Sequence, residues 1–278
     1  MEKLVIIDGH NLLFRMFYGM PNKIYTKDGK CVHGTIGFVG GINKIIKEHE
    51  PTSLIVVFDS EEVSAKMEDE RYKKNRILNF SHLPDDENPF SQYADILKCL
   101  DLLDITHIEM PRQEADDVIG TIAKQFEKEK QVIIVSTDKD FFQLLNENIS
   151  VFSPRGKSSV LYTPEVFIEK YTFSPSQYLC FKALVGDSSD NIDGVRGIGT
   201  KTATSLLTEY NSIDGIYKNL DKLSPRIRTL LNNDLEKVMV NLELLKINCN
   251  LDIDLTSHNL GYLVDWESRD IIDRAIKD

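Results

Sequence analysis

Three short apolar runs, each leading to an aspartate, constrain the fold of this chain more than any other feature. The runs span residues 4–7, 53–58 and 132–135, and the aspartates are Asp8, Asp59 and Asp138. Short β-branched runs separated by segments with helical spacing predict a parallel sheet covered on both faces. Ligands of such sheets bind beyond the carboxyl ends of the strands, so each aspartate is expected where a ligand would bind.

The chain divides into a mixed first part and a helical second part. Helical spacing is found over residues 93–103 and 114–126, and strand signals fade from Pro164 onward. We therefore expect an α/β domain over 1–170 and a helical region over 171–278. The segment at about 60–90 has mixed charge and then several Pro and Asp residues, which indicates an excursion from the sheet.

Composition indicates a cytoplasmic protein outside the membrane. The N-terminus does not resemble a signal peptide, and no run of about 18 apolar residues is present. The four cysteines form no C-x-x-C pair, which disfavours a zinc site or a disulfide framework. The net charge of −11 is unusual for a protein that binds nucleic acid. Divalent cations held by carboxylates would cancel part of that charge locally.

Acidic residues cluster in three short motifs, at 114–117, 138–140 and 187–190. Each motif alone is most simply read as a helix cap or a turn, because acids complement helix N-termini and close loops. Seven acids, however, fall at the predicted carboxyl edge of one sheet: Asp8, Asp59, Glu114, Asp116, Asp117, Asp138 and Asp140. Without a cation their repulsion would raise their pKa values and oppose folding.

Carboxylate oxygens without accompanying Cys or His pairs favour Mg²⁺, with Mn²⁺ as a substitute. Two such ions about 3.5 to 4 Å apart can activate water and stabilise a leaving oxygen in phosphodiester hydrolysis. Residues 194–203 form a Gly-rich turn before a helix, a pattern that lets backbone N–H groups meet a phosphate. Asp187 and Asp190 stand just upstream of that turn.

Five motifs in order along the chain resemble those of the 5′ nucleases, namely bacterial and phage flap endonucleases and the 5′-to-3′ exonuclease domain of DNA polymerase I. The motifs are Asp8-Gly9 with Phe14-Arg15, Tyr72-Lys73 with Arg76, Glu114-Ala115-Asp116-Asp117-Val118-Ile119-Gly120, Asp138-Lys139-Asp140 with Gln143-Leu144, and Gly186-Asp187-Ser188-Ser189-Asp190-Asn191-Ile192. The resemblance implies a PIN-like (Rossmann-like) sheet with a helical arch at about 60–90. It also implies a helix-hairpin-helix at about 184–207.

The resemblance assigns roles to individual residues. One metal group is implied to use Asp8, Asp59, Glu114, Asp116 and Asp138, which we call the edge cluster. A more remote group is implied to use Asp117, Asp140, Asp187 and Asp190. The basic residues implied to face the reacting phosphate are Lys73, Arg76 and Arg15. A K⁺ ion is implied at the main-chain carbonyls of Leu184, Val185, Asp193, Val195 and Ile198. Expected DNA contacts are Tyr72, Gly194, Arg196, Gly197, Gly199, Lys201 and Thr202.

Two positions depart from the family pattern. Ser64 and Ala65 replace a Phe-Arg pair, and Asp193 stands where the family usually has proline. Neither removes an expected metal ligand.

The function implied is removal of 5′ flaps and primers, in DNA or RNA hybrids, by a monomer that recognises flaps, nicks and 5′ ends. The chain begins at Met1 without polymerase sequence, so we expect a stand-alone nuclease rather than a piece of a polymerase. A non-catalytic DNA-junction-binding protein of the same fold is the main alternative. An RNase sharing the sheet is the second alternative, and the helical region argues against it.

Overall fold

The structure, a computed structural model, describes residues 2–60, 80, 82–256 and 258–277. Most of the segment expected to form the arch lies outside the described residues. Tyr72, Lys73, Arg76 and the departure at Ser64 and Ala65 also lie outside them.

A six-stranded, mostly parallel sheet organises the first part of the chain, as predicted. Its strands are β1 (Lys3–Asp8), β2 (Ser53–Phe58), β3 (Thr106–Glu109), β4 (Gln131–Val135), β5 (Ile149–Ser153) and β6 (Val160–Tyr162). The strand order is β3-β2-β1-β4-β5-β6, and only β6 is antiparallel to its neighbour. Because β1 lies between β2 and β4, the three predicted runs are adjacent and end at the same edge.

Eleven helices are described: α1 (Gly9–Gly19), α2 (His33–His49), α3 (Tyr93–Leu102), α4 (Ala115–Phe126), α5 (Pro164–Tyr171), α6 (Tyr178–Val185), α7 (Thr200–Tyr210), α8 (Ile213–Lys218), α9 (Pro225–Asn233), α10 (Leu235–Leu245) and α11 (Ser268–Ala275). Alternate residues of β1 enter opposite cores, since strand side chains alternate between faces. Leu4 and Ile6 pack with α4 and α5, whereas Val5 and Ile7 pack with α1, α2, α3 and α11. The sheet is thus covered on both faces.

The helical region has a core of its own and also returns to the sheet. Residues of α6 to α10, including Leu184, Leu207 and Leu231, form a separate apolar cluster. Ile247, however, packs in the sheet core beside α4, and α11 packs against α2 and α3. The end of the chain therefore stabilises the first domain.

None of the helices in the described ranges combines the length and the apolar character needed to cross a bilayer.

Candidate active site

Asp8 lies at the end of β1 and is only 7% exposed. It is the N-cap of α1: its Oδ1 accepts from the backbone N–H of Asn11 at 3.0 Å. Burial raises the pKa of Asp8 from an ordinary 3.8 to about 7; the Asn11 N–H opposes the rise, and the charges of Asp59 and Asp138 add to it. Such a carboxylate is costly when ionised unless a cation lies near it.

Ser136 connects Asp8 to the loop after β4. Its hydroxyl donates to Asp8 Oδ2 at 2.8 Å and accepts from the backbone N–H of Asp138 at 3.0 Å. Next to it, Asn11 and Thr137 are joined through side-chain and backbone hydrogen bonds of 3.0 to 3.1 Å. These three polar residues fix Asp8 and Asp138 relative to each other, and none of them was predicted as a site residue.

Asp59 follows β2 directly and ties this strand to α4. Its Oδ1 accepts from the backbone N–H of Ala115, the first residue of α4, at 2.8 Å. The helix N-terminus favours the negative charge. The backbone N–H of Asp59 donates to His10 Nδ1 at 3.1 Å, and the same ring nitrogen lies 3.4 Å from Asp59 Oδ2. His10 thus holds the backbone of Asp59, and sequence reasoning missed it.

Three further acids lie at the start of α4. Glu114 is its N-cap, and Asp116 and Asp117 are in its first turn. Glu114 and Asp117 are buried. Asp117 Oδ1 accepts from the backbone N–H of Asn248 at 2.8 Å, so Asp117 anchors the chain end that returns to the sheet. This contact is consistent with a structural role for Asp117 beside the implied metal-binding one.

Asp138 lies between two acidic groups. It is an electrostatic neighbour of Asp8 on one side and of Asp140 on the other. Its Oδ1 accepts from the backbone N–H of Asp140 at 2.9 Å. The loop after β4 therefore joins the edge cluster to the more remote acids.

Asp140, Asp187 and Asp190 form a compact group that we call the remote trio. One carboxylate oxygen from each lies within 4.8 Å of the others. Asp140 begins a 3-10 helix after β4, whereas Asp187 and Asp190 belong to the turn after α6. The fold thus brings Asp140 together with Asp187 and Asp190, which lie more than forty residues further along the chain. Among the described residues Asp117, the fourth acid implied for this group, is not part of it.

Lys182 of α6 lies inside this group and was not predicted. It is 6% exposed, and its Nζ pairs with both Asp140 and Asp187. Burial lowers the pKa of Lys182, but the two carboxylates outweigh that effect and raise it, so the ammonium stays charged. Burial would raise the pKa of Asp187, but Lys182 and hydrogen bonds from Ser189 hold it at about 2. Burial also raises the pKa of Asp140, and Lys182 opposes the rise.

The turn after α6 is a small hairpin in which backbones approach closely. Strands β7 (Gly186–Asp187) and β8 (Ile192–Asp193) pair in antiparallel register. Gly186 has φ +85°, and a Cβ on Gly194 would lie 2.2 Å from the carbonyl carbon of Val185. Both positions therefore require glycine.

The hairpin leads into an uncapped helix. Gly199 is the N-cap of α7, so no side chain caps its first N–H groups, and no acid lies in its first turn. Arg196, Gly197 and Lys201 are exposed around this helix end. Free N–H groups and a positive helix end form a ready site for phosphate.

Three of the carbonyls implied to hold K⁺ accept hydrogen bonds. The carbonyl of Leu184 accepts from Val195 N–H at 2.8 Å, and that of Val195 accepts from Ile198 N–H at 2.9 Å. The carbonyl of Asp193 accepts from buried Asn241 Nδ2 at 2.9 Å. Each carbonyl oxygen has a second lone pair, so these bonds are compatible with K⁺.

Arg15 lies in a cavity of about 230 Å³ between α1, α2 and the loop after β5. Its Nε is buried without a hydrogen-bond partner. Burial and the nearby positive charge of Arg155 both lower the pKa of Arg15. Lys44 and Glu48 also line the cavity. Two neighbouring guanidinium groups are consistent with an anion site, and Arg155 was not predicted.

The donor set fits hard divalent cations. The remote trio offers carboxylate oxygens as ligands, and burial together with the charges of Asp59 and Asp138 raises the pKa of Asp8. Oxygen ligands at hydrogen-bonded, fixed positions are those that Mg²⁺ and Mn²⁺ prefer.

A parallel sheet that gathers carboxylates at its carboxyl edge, joined to a Gly-rich hairpin and an uncapped helix, is typical of a class of nucleases. The "5'-3' exonuclease, N-terminal resolvase-like domain" family model matches residues 3–172. The "5'-3' exonuclease, C-terminal SAM fold" model matches residues 173–265. The chain belongs to the 5′-3′ exonuclease family.

Curated relatives are longer proteins. A thermostable DNA polymerase I of Thermus thermophilus is 38% identical over 256 residues, which are 91% of this chain and 30% of that protein. DNA polymerase I of Mycobacterium bovis is 34% identical over 281 residues, which are 99% of this chain and 30% of that protein. The chain thus spans about 30% of the length of these relatives.

Solved structures share the fold. The zinc-bound T5 5′-exonuclease superposes with a TM-score of 0.74 at 24% identity, covering 99% of this chain and 97% of that one. The catalytic core of Rad2 with DNA substrate (complex IV) gives a TM-score of 0.62 at 16% identity, covering 99% of this chain and 92% of that one. The predicted fold class and family are confirmed.

Proposed function

We propose that this protein is a structure-selective 5′ nuclease that hydrolyses DNA phosphodiesters with Mg²⁺, acting as a 5′-flap endonuclease and 5′-to-3′ exonuclease in primer and flap removal. The observation that carries the proposal is the arrangement of acids at one edge of the sheet. Ser136 joins Asp8 of β1 to Asp138 after β4, and Asp59 after β2 is an electrostatic neighbour of Asp8 and accepts from the first backbone N–H of α4. Mn²⁺ is proposed to substitute for Mg²⁺.

In this proposal the edge cluster holds the divalent ions at the reacting phosphate. Bound ions would supply a nucleophilic water and stabilise the leaving oxygen. Asp8 and Asp138 would be fixed as ligands by the Ser136 hydroxyl, because it bonds to both of them. Asp59 would be held by the N-terminus of α4. The acids Glu114, Asp116, Asp117, Asp140, Asp187 and Asp190 complete the proposed ligand set.

Duplex DNA is proposed to bind at the helical region, residues 171–278. The uncapped N-terminus of α7 and exposed Arg196 and Lys201 fit a backbone phosphate without reading a base. Arg15, with Arg155 nearby, is proposed from the resemblance to lie near the reacting phosphate. A K⁺ ion in the hairpin remains part of the proposal. A Rad2 structure contains DNA substrate, and a T5 flap endonuclease structure contains DNA and metal ions.

The test compares labelled 5′-flap, nicked-duplex and single-stranded DNA in Mg²⁺, in EDTA, and with Asp138→Asn. We expect cleavage of the flap and the nicked duplex in Mg²⁺, no cleavage in EDTA, and a severe loss with Asp138→Asn. Exposed Asp101, on α3, provides the matched control as Asp101→Asn. Binding without any cleavage in Mg²⁺ would favour the non-catalytic junction-binding alternative.

Lys73 is proposed, from the resemblance, to face the reacting phosphate. Lys73→Ala should slow single-turnover cleavage far more than it weakens duplex binding, whereas the neighbouring Lys74→Ala should change neither strongly. Equal losses of cleavage and binding in Lys73→Ala would contradict this role.

A further inference from the structure

Lys182 lies where the oxygens of the remote trio converge. It is buried on α6, and its Nζ pairs with Asp140 from the loop after β4 and with Asp187 from the hairpin. The third acid, Asp190, is 2% exposed. One side-chain cation therefore already neutralises part of a carboxylate group that has the donor chemistry of a divalent-metal site.

We propose that Lys182 is a built-in cation of the remote trio, so that this trio takes up a divalent ion weakly, after the edge cluster, and only when the ammonium releases Asp140 and Asp187. The inference rests on the proposed function, because it takes the trio as a metal site. It makes Lys182 a positioning residue that sets the order in which ions bind.

Two physical effects lead to this order. First, Asp140 and Asp187 must exchange ion pairs with Lys182 for bonds to the incoming ion, so binding has an internal competitor. Second, an ammonium close to a divalent ion repels it strongly in a site shielded from water. Asp8 and Asp138 have no such internal competitor, because no lysine or arginine of the described ranges forms an ion pair with either of them.

The competition also has a structural benefit in the metal-free protein. Three acids within 4.8 Å of one another would repel if all were ionised. Lys182 reduces that repulsion and links the sheet domain to the hairpin through one side chain. Removing its charge should therefore weaken the metal-free protein and strengthen its response to metal.

The test measures Mn²⁺ binding, by calorimetry and by the electron paramagnetic resonance of free Mn²⁺, for the whole chain without DNA. The wild type should show a tight site and a weaker one. Lys182→Met, which keeps most of the side-chain volume but no charge, should tighten the weaker site about tenfold or more. Its Tm should fall in EDTA and rise more on Mn²⁺ addition than that of the wild type. Lys182→Arg should keep the weak site.

Lys130 offers a matched control at the opposite edge of the sheet. It is also largely buried, with its Nζ 2.8 Å from Ser53 Oγ and 3.0 Å from Glu2. Lys130→Met should lower the Tm without changing either Mn²⁺ affinity.

Two equal sites in the wild type, or the same Mn²⁺ affinities in the wild type and Lys182→Met, would overturn the inference. If Lys182→Met does not fold in EDTA, the wild-type isotherm decides by itself. Failure of the inference is distinguishable from failure of the proposed function. If the protein binds Mn²⁺ and cleaves flaps normally but its two sites have equal affinity, only the role of Lys182 is rejected. Absence of both Mn²⁺ binding and cleavage rejects the metal-dependent function itself.

Discussion

The edge cluster and the remote trio differ in the groups that lie next to their carboxylates. Asp8 of the edge cluster is buried, accepts hydrogen bonds from the neutral Asn11 N–H and Ser136 hydroxyl, and has a pKa raised to about 7. In the remote trio, Asp187 is paired with Lys182 and has a pKa held at about 2. Asp8 therefore depends on an added cation, whereas the remote trio carries part of its own compensation.

This difference shows that acidic residues at neighbouring positions need not have equal energetic roles. Burial opposes ionisation in both groups, and the neighbouring side chains decide the outcome. At Asp8, the buried charge lowers the stability of the metal-free protein. In the remote trio, a salt bridge restores stability and competes with metal.

The largest expected effect is the loss of flap cleavage when an acid of the edge cluster is replaced. Asp8→Asn should reduce flap cleavage in Mg²⁺ by at least about a hundredfold, because a ligand and its orientation are both lost. Initial rates on a labelled 5′-flap measure this, with Asp101→Asn as the control. Near-normal cleavage by Asp8→Asn would remove Asp8 from the active site.

The next effect is on the free energy of unfolding without metal, which should change in opposite directions in Asp8→Asn and Asp187→Asn. In EDTA at pH 8, Asp8→Asn should raise the free energy of unfolding by about 1–3 kcal/mol, because a buried charge is removed while the N-cap remains possible. Asp187→Asn should lower it by about 1–3 kcal/mol, because Lys182 loses a charged partner. Urea unfolding measures both. Changes of the same sign in the two variants would refute the contrast between the groups.

Ser136→Ala tests whether neutral donors organise the edge cluster. The variant loses one bond to Asp8 and one from Asp138, so cleavage should fall about tenfold through looser ligand positions. Ser189→Ala, at the remote trio, removes a donor to Asp187 and should reduce cleavage less. Single-turnover rates at saturating enzyme compare the two, and a larger loss in Ser189→Ala would reverse the ranking.

The smallest expected effect is the pH dependence of metal-free stability. The pKa of Asp8 is about 7 when folded against an ordinary 3.8, so the folded state binds more protons between these values. Stability from this group therefore falls as pH rises from about 4 to 7. The Tm in EDTA should decrease over that range more in the wild type than in Asp8→Asn. Equal slopes would show that Asp8 is not strained by its charge.

Much of the sheet was predictable because its strands are continuous apolar runs. The runs before Asp8, Asp59 and Asp138 became adjacent parallel strands, since fully buried strands leave little choice of pairing. Strand β3 (Thr106–Glu109) was missed, because its residues are only partly buried and carry no clear apolar pattern. The return of α11 to the sheet was missed for a different reason: helix periodicity does not show which core a helix joins.

The site was less predictable than the fold. Acids could be located by their position after strands, but Lys182 lies between Phe181 and Ala183 in an apolar helix, where a lone lysine usually extends its amine to solvent. The only sequence signal was its place five residues before Asp187. The bond from Asn248 to Asp117 spans more than a hundred residues, and local patterns carry no information about such pairing.

The central claim is that Asp8 and Asp138 require an external cation, whereas the remote trio already contains the ammonium of Lys182. The most direct measurement is a crystal structure series with increasing Mn²⁺, with the ion located by anomalous scattering. We predict that density appears first between Asp8 and Asp138, and appears among Asp140, Asp187 and Asp190 only at higher Mn²⁺, with Lys182 moved away. First occupancy of the remote trio with Lys182 still paired, or no ion at the edge cluster, would contradict the account.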